Sequence, residues 1–266
     1  MGRIETRFAD LHSQHRKAFV AYITAGDPSL TATMSLVREL EKNFVDIIEL
    51  GIPFSDPIAD GPVNQQASMR ALKNNVTLGQ ILDTVQIIRK ESQIPIIFFT
   101  YLNTILSYGI KHFVDNAADT GVDGALVLDL PPEEAEEYKQ LMDSKHLATV
   151  FLVSPITTSE RLELITRNTT GFIYYVSQMG VTGEREHVAG DINEHIRLIR
   201  SYTSVPVVVG FGISTSNHVR TVAQYADGVV VGSSIVKRIG ELSKKPGFEK
   251  EVGKFVGTLT AALKGA

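Results

Sequence analysis

In the segment Ile47-Ile48-Glu49-Leu50-Gly51-Ile52, a single carboxylate stands inside an apolar run, and Asp56 and Asp60 follow it within one connection. A carboxyl group among Ile47, Ile48, Leu50 and Ile52 loses hydration. Its pKa should therefore rise above the ordinary value of about 4.3, toward the range where one group can both give and take a proton near neutrality. The other reading is that Glu49 faces a polar partner and only closes a packing layer. Asp56 precedes Pro57, and Asp60 precedes Gly61 and Pro62, both contexts that shape turns. Asp56 reads first as a turn residue, whereas the case for Asp60 as a second functional carboxylate rests on its proximity to Glu49.

A second set of residues suits an anion. Gly210-Phe211-Gly212-Ile213-Ser214 and Val231-Gly232-Ser233-Ser234 place small residues after consecutive apolar runs. Small residues let backbone N–H groups approach a phosphate, and a short helix opening near Ser233 would add its positive end. Taken singly, each glycine is also an ordinary turn residue. Thr215 occupies the place of the third glycine of a dinucleotide fingerprint, so NAD binding is unsupported. Farther back, Tyr174 and Tyr175 must point to opposite sides of one strand. Gly180 and Gly183 bracket Val181 and Thr182, as in a hinged lid or simply in a flexible loop. None of the seven His residues (12, 15, 112, 146, 187, 195 and 218) and no Lys ends an apolar run. His-based metal chemistry and a Schiff-base amine are therefore disfavoured at strand ends, and no metal site is expected.

These residues need elements to hold them. Short β-rich runs recur at Phe19–Thr24, Asp46–Leu50, Ile96–Tyr101, Gly124–Leu128, Thr149–Val153, Phe172–Val176, Val205–Val209 and Gly228–Val231. Most are continuously apolar, as expected of parallel strands covered on both faces. Between and after them, helical spacing marks Ser29–Asn43, Leu78–Ser92, Ile110–Thr120, Pro132–Ser144, Thr158–Asn168, Ile192–Ser201, Thr215–Gln224 and Phe248–Lys264. This alternation over 266 residues predicts a (β/α)8 TIM barrel forming one domain over residues 1–266, with an additional N-terminal helix before the first strand. In such a barrel the catalytic groups gather at the carboxyl ends of the strands, where Glu49 and both Gly/Ser segments lie. Two connections are long, Gly51–Thr77 and Ser177–Asp191, as lids and binding loops often are.

Composition narrows the classes further. Twenty-six Lys and Arg against 30 Asp and Glu give a net charge of −4 with no basic run, which disfavours nucleic acid or an anionic membrane as partner. Cys is absent, which removes disulfides and thiolate chemistry. The polar N-terminal segment lacks a signal-peptide core, and no later apolar run is long enough to span a bilayer, so a cytoplasmic location is expected.

The segments Glu49–Pro62, Tyr22–Pro28 (YITAGDP), Tyr174–Gly183 (YYVSQMGVTG), Val209–Ser214 (VGFGIS) and Val230–Val236 (VVGSSIV) together resemble the tryptophan synthase α subunit family. That resemblance extends from the first strand to the last helix. It implies a carbon–carbon lyase of tryptophan biosynthesis that cleaves indole-3-glycerol phosphate to indole and glyceraldehyde 3-phosphate. It also implies an α2β2 heterotetramer with a β subunit that carries pyridoxal phosphate, this chain having no cofactor of its own. By the same resemblance Glu49 is the proton-transferring group, Asp60 holds the indole N–H, and Tyr174 stands near the reacting centre. Tyr22, Phe99, Leu126 and Val230 form the indole pocket, and Thr182 is the lid residue that meets Asp60. Gly183, Phe211, Gly212, Gly232 and Ser233 cradle the phosphate. Gln178 and Met179 depart from the family's lid pattern, in which Arg and a small residue are expected. A different phosphosugar barrel enzyme, such as an isomerase, or a catalytically silent binding subunit are the alternatives; the paired Glu49 and Asp60 argue against the second.

Overall fold

The computed structural model describes residues 2–177, 185–210 and 212–263, with 185–191 described by their backbone alone. Its strands are β1 (Ala18–Thr24), β2 (Ile47–Gly51), β3 (Ile96–Thr100), β4 (Gly124–Val127), β5 (Ala148–Val150, resuming after Phe151 as Leu152–Val153), β6 (Ile173–Val176), β7 (Val207–Gly210) and β8 (Gly228–Val231). All pair in parallel, each with its sequence neighbour, and β8 returns to pair with β1. The first half of β5 bonds to β4 and its second half to β6, so the ring closes through the break at Phe151, whose carbonyl accepts from the N–H of Tyr174 at 3.2 Å. This is the TIM barrel that the alternation of apolar runs predicts.

Strand parity divides the core. Val20, Ile47, Ile97, Leu126, Val150, Tyr174, Val208 and Val230 face inward. Their neighbours Phe19, Ala21, Ile48, Leu50, Phe98, Tyr175, Val209 and Val229 pack outward against the helices. The helix Arg3–Ser13 lies before β1, as expected, and its buried Ile4, Phe8 and Leu11 join the inward set; Phe8 meets Phe172 with ring centroids 6.0 Å apart. It therefore stoppers the amino-terminal end of the barrel and leaves the carboxyl end as the place for a site. Arg7, on the same helix, pairs with the buried Asp46 just before β2.

The helices fall close to the expected ranges, with two additions. Pro62–Leu72 and Leu102–Tyr108 form within connections that carry no strong helical periodicity, and Ser233–Leu242 is the helix expected to open near Ser233. Pro132–Ser144 divides into a 3-10 turn, Pro132–Glu134, and an α-helix, Glu136–Ser144. Arg185–Tyr202 begins earlier than the expected Ile192. Among the described residues, no helix is long and apolar enough to cross a membrane.

Candidate active site

The carboxyl end of the barrel opens into a cavity of about 550 Å³, within the usual size range for small-molecule sites. Its lower wall is the top inward layer of the strands. Tyr22 and Glu49 are direct partners across β1 and β2, and Phe99, Tyr174 and Val230 project from β3, β6 and β8 with the same parity. Tyr22 and Phe99 meet edge to face, 5.1 Å between centroids. Leu126 lies one layer lower, fully buried in the barrel interior, and is not part of the cavity wall. Leu128, two residues on with the same parity, lines the cavity together with Leu152 and Val176. The apolar pocket thus uses three residues that were not singled out in the sequence, all of which strand periodicity in phase with Glu49 could have found.

Glu49 is 1% exposed, and its Oε1 has no hydrogen-bond partner. Burial, reinforced by the negative charge of Asp60, pushes its carboxyl up to about 8. The apolar run around it has the expected effect: the group is poised to exchange a proton near neutral pH. A buried acceptor left without a partner is costly and marks a place where a ligand group can complete the set.

Asp60 is reached through the connection after β2. Tyr101 Oη donates to its Oδ2 at 3.0 Å, Asn64 Nδ2 lies 3.5 Å from its Oδ1, and its backbone carbonyl accepts from Gln65 Nε2 at 2.9 Å. Burial raises the Asp60 carboxyl above the ordinary carboxylate range, and the hydrogen bonds from Tyr101 and Asn64 offset only part of that rise. Tyr101 Oη also accepts from the N–H of Ala59 at 3.1 Å, and its ring rests against Phe54, so one phenol secures the loop and the carboxylate together. Sequence reasoning missed Tyr101. It lies just past β3 and 41 positions from Asp60, and no local pattern links the two. Asp56 points outward: it is exposed and its carbonyl accepts from the N–H of Ile58 at 2.9 Å, a turn role.

Two glycines make room for the tyrosines. A Cβ on Gly51, which ends β2, would lie 2.3 Å from Tyr22 Oη, and one on Gly210, which ends β7, would lie 2.3 Å from Tyr174 Oη. Gly210 therefore serves the Tyr174 ring first, whatever its following residues do for an anion.

Gly212, with φ of +74°, and Gly232 and Ser233 line the opposite side of the same cavity. Gly232 is the N-cap of Ser233–Leu242 and supplies no side-chain cap, so the first-turn N–H groups are presented without competition from a capping oxygen. Ser234 Oγ is buried and without a partner beside them. Thr182, Gly183 and Phe211, and with them Gln178 and Met179, lie outside the described residues. Among the described residues, no group of three or more His, Asp and Glu is arranged to hold a metal ion.

An inward carboxyl that titrates near neutrality, a second carboxylate, an apolar aromatic pocket and a helix N-terminus, all at the carboxyl end of a (β/α)8 barrel, define an enzyme of acid–base chemistry on a small, partly aromatic anion. Comparison with known proteins places it within that class. The family model of the tryptophan synthase alpha chain matches residues 8–264, and the chain belongs to this family of lyases. The tryptophan synthase alpha chain of Geotalea daltonii is 47% identical over 264 residues, covering 99% of this chain and 98% of that protein. That of Caldanaerobacter subterraneus is 44% identical over 263 residues, 99% of this chain and all of that one. The crystal structure of tryptophan synthase subunit alpha from Legionella pneumophila superposes over the full length of both chains with a TM-score of 0.93 at 35% identity.

Proposed function

We propose that Glu49, Asp60 and Tyr174 carry in this chain the cleavage of indole-3-glycerol phosphate to indole and glyceraldehyde 3-phosphate, the reaction of the family. The observation that supports it best is the buried, unpartnered Oε1 of Glu49 in the cavity wall, on a carboxyl raised to about 8. Breaking the bond to indole C3 requires a proton delivered to that carbon and a proton removed from the side-chain hydroxyl. As the bond breaks, its electron pair returns to the ring and the hydroxyl carbon becomes an aldehyde. Glu49 in its protonated form supplies the first transfer and in its ionised form the second, which a group with its midpoint near neutrality does with little cost either way. Positive charge develops on the ring nitrogen, and Asp60, held by Tyr101 and Asn64, offsets it as a fixed anion.

The ring of the substrate fits between Tyr22, Phe99, Leu128 and Val230. Its phosphate fits the amino end of Ser233–Leu242 with Gly212, Gly232 and Ser233; the family resemblance assigns Gly183 and Phe211 to the same phosphate set and Thr182 to Asp60. The partner is a β subunit carrying pyridoxal phosphate in an α2β2 assembly, in the cytoplasm, with the exposed connection after β2 as docking surface; this chain needs no cofactor. The test is indole release from indole-3-glycerol phosphate by the purified chain, alone and with its cognate β subunit. Release that Glu49→Gln abolishes is expected, and no release under either condition rejects the reading.

A further inference from the structure

Asp60 immediately precedes the N-cap of the helix Pro62–Leu72 and its partner Asn64 lies in the helix's first turn, so the place of that helix on the barrel sets the place of the carboxylate. What fixes the helix lies at its other end. Arg70, in its last turn, donates from Nε at 2.8 Å and from Nη2 at 2.7 Å to the two oxygens of Asp27, which is 1% exposed in the connection after β1. Just beyond the helix, Asn74 Nδ2 donates to the carbonyl of Pro28 at 2.6 Å. The guanidinium also lies against the backbone of Ser233–Leu242: a Cβ on Gly240 would come within 3.1 Å of Nη2. One planar cation thus ties together the connection after β1, the helix that follows Asp60 and the helix whose amino end forms the candidate phosphate seat.

From this geometry we propose that the Asp27–Arg70 pair positions Asp60 for the reaction, holding its helix in register against the strand of Glu49 and against the phosphate seat. The proposal rests on the functional reading above. Neither residue lines the cavity, so neither touches substrate; both act through the helix. The apolar contact alone would not fix the register. Its buried apolar members on the helix are the small side chains Ala67 and Ala71, the first packed against Tyr22 and Val236, and small apolar surfaces tolerate sliding. A two-pronged, charge-assisted contact fixes both distance and orientation. It stands roughly three helical turns from Asp60, so a tilt at Arg70 is carried along the helix to the carboxylate at its amino end.

Deleting the Arg70 side chain would strand the buried carboxylate of Asp27 and endanger the fold, so the main variant is Arg70→Lys, which keeps the charge but replaces the fork by a point donor; Asp27→Asn is the second. For each, kcat and KM with indole-3-glycerol phosphate, the affinity for inorganic phosphate and the thermal midpoint are measured. The titration of Glu49 is followed by carbon-13 NMR of labelled glutamate, assigned with Glu49→Gln. Loosening the helix is expected to lower kcat roughly 10- to 100-fold while KM and phosphate affinity stay within about threefold. It should also lower the Glu49 midpoint from about 8 as Asp60 moves away, since Asp60 is one of the two causes holding it there. A purely structural pair would lower only the thermal midpoint. Unchanged kcat per folded molecule together with an unmoved Glu49 midpoint overturns the proposal. A wild-type chain that releases no indole would reject the functional reading alone, because the Glu49 midpoint still decides whether the pair positions Asp60.

Discussion

Glu49 is held in the folded chain with a carboxyl near 8, against 4.5 for the free group, so the native state keeps a proton that the unfolded chain has released. The sign of the consequence follows. Between those two values the unfolded state binds fewer protons, and stability falls as pH rises from about 4.5 and levels off above about 8. Glu49→Gln removes this dependence. Urea unfolding of the two proteins from pH 5 to 9 should show the variant gaining on the wild type by on the order of 1.4 kcal/mol per pH unit through that window; parallel curves would show that Glu49 is not held neutral. For Asp60, Asp60→Asn should lower kcat by about 10² to 10³, the usual cost of removing one charge-stabilising group. Tyr101→Phe, which removes one donor from that carboxylate, should cost about tenfold or somewhat more; kcat measured at saturating substrate checks both. Glu49 was conspicuous in the sequence because an acidic residue at an apolar strand end stands out by itself, and Asp60 drew attention only through its place in the connection that follows. Tyr101 was not, since a tyrosine after a strand reads as core until the loop folds over it.

At the level of elements, the parity of each strand decides what enters the cavity, and glycines at neighbouring strand ends decide whether it fits. Gly210 lies beside Tyr174 in this way, with a hypothetical Cβ 2.3 Å from the hydroxyl. Gly210→Ala should therefore tilt the ring into the cavity and lower kcat/KM by about tenfold or more, and the added change Tyr174→Phe, which removes the clashing oxygen, should recover part of that loss beyond its own effect. A double-mutant cycle on kcat/KM checks this: strict additivity would mean that the clash is relieved elsewhere. The strand runs and most helices were readable from periodicity. The helix Pro62–Leu72 was not, because its surface is mixed and its burial rests on Ala67, Ser68 and Ala71, small residues that leave little periodic signal.

For the whole molecule, the exposed connection after β2 leads from Asp56 to the helix of Asp60, and Ile58 on it is 89% exposed. With that connection as the docking surface proposed above, this exposed side chain is an apolar group offered to the β subunit. Ile58→Ser loses no packing within the chain, so the isolated variant should keep its indole release while its affinity for the β subunit falls about tenfold, near 1.4 kcal/mol; titration of the one by the other, followed by rate, checks it. The sequence alone determined the candidate carboxylates, their order along the chain and the alternation that builds a barrel, because hydrophobic periodicity and the chemistry of a side chain are properties of a few adjacent residues. Only the tertiary structure decided which layer of the barrel forms the pocket floor, so that Leu128 and not Leu126 lines it. It alone decided that Arg3–Ser13 stoppers the far end, that Tyr101 holds Asp60, and that Arg70 reaches Asp27 across 43 positions. Those pairings depend on where the ring closes and how its connections fold back over it, and residues so far apart in the chain meet only after closure has brought their elements side by side.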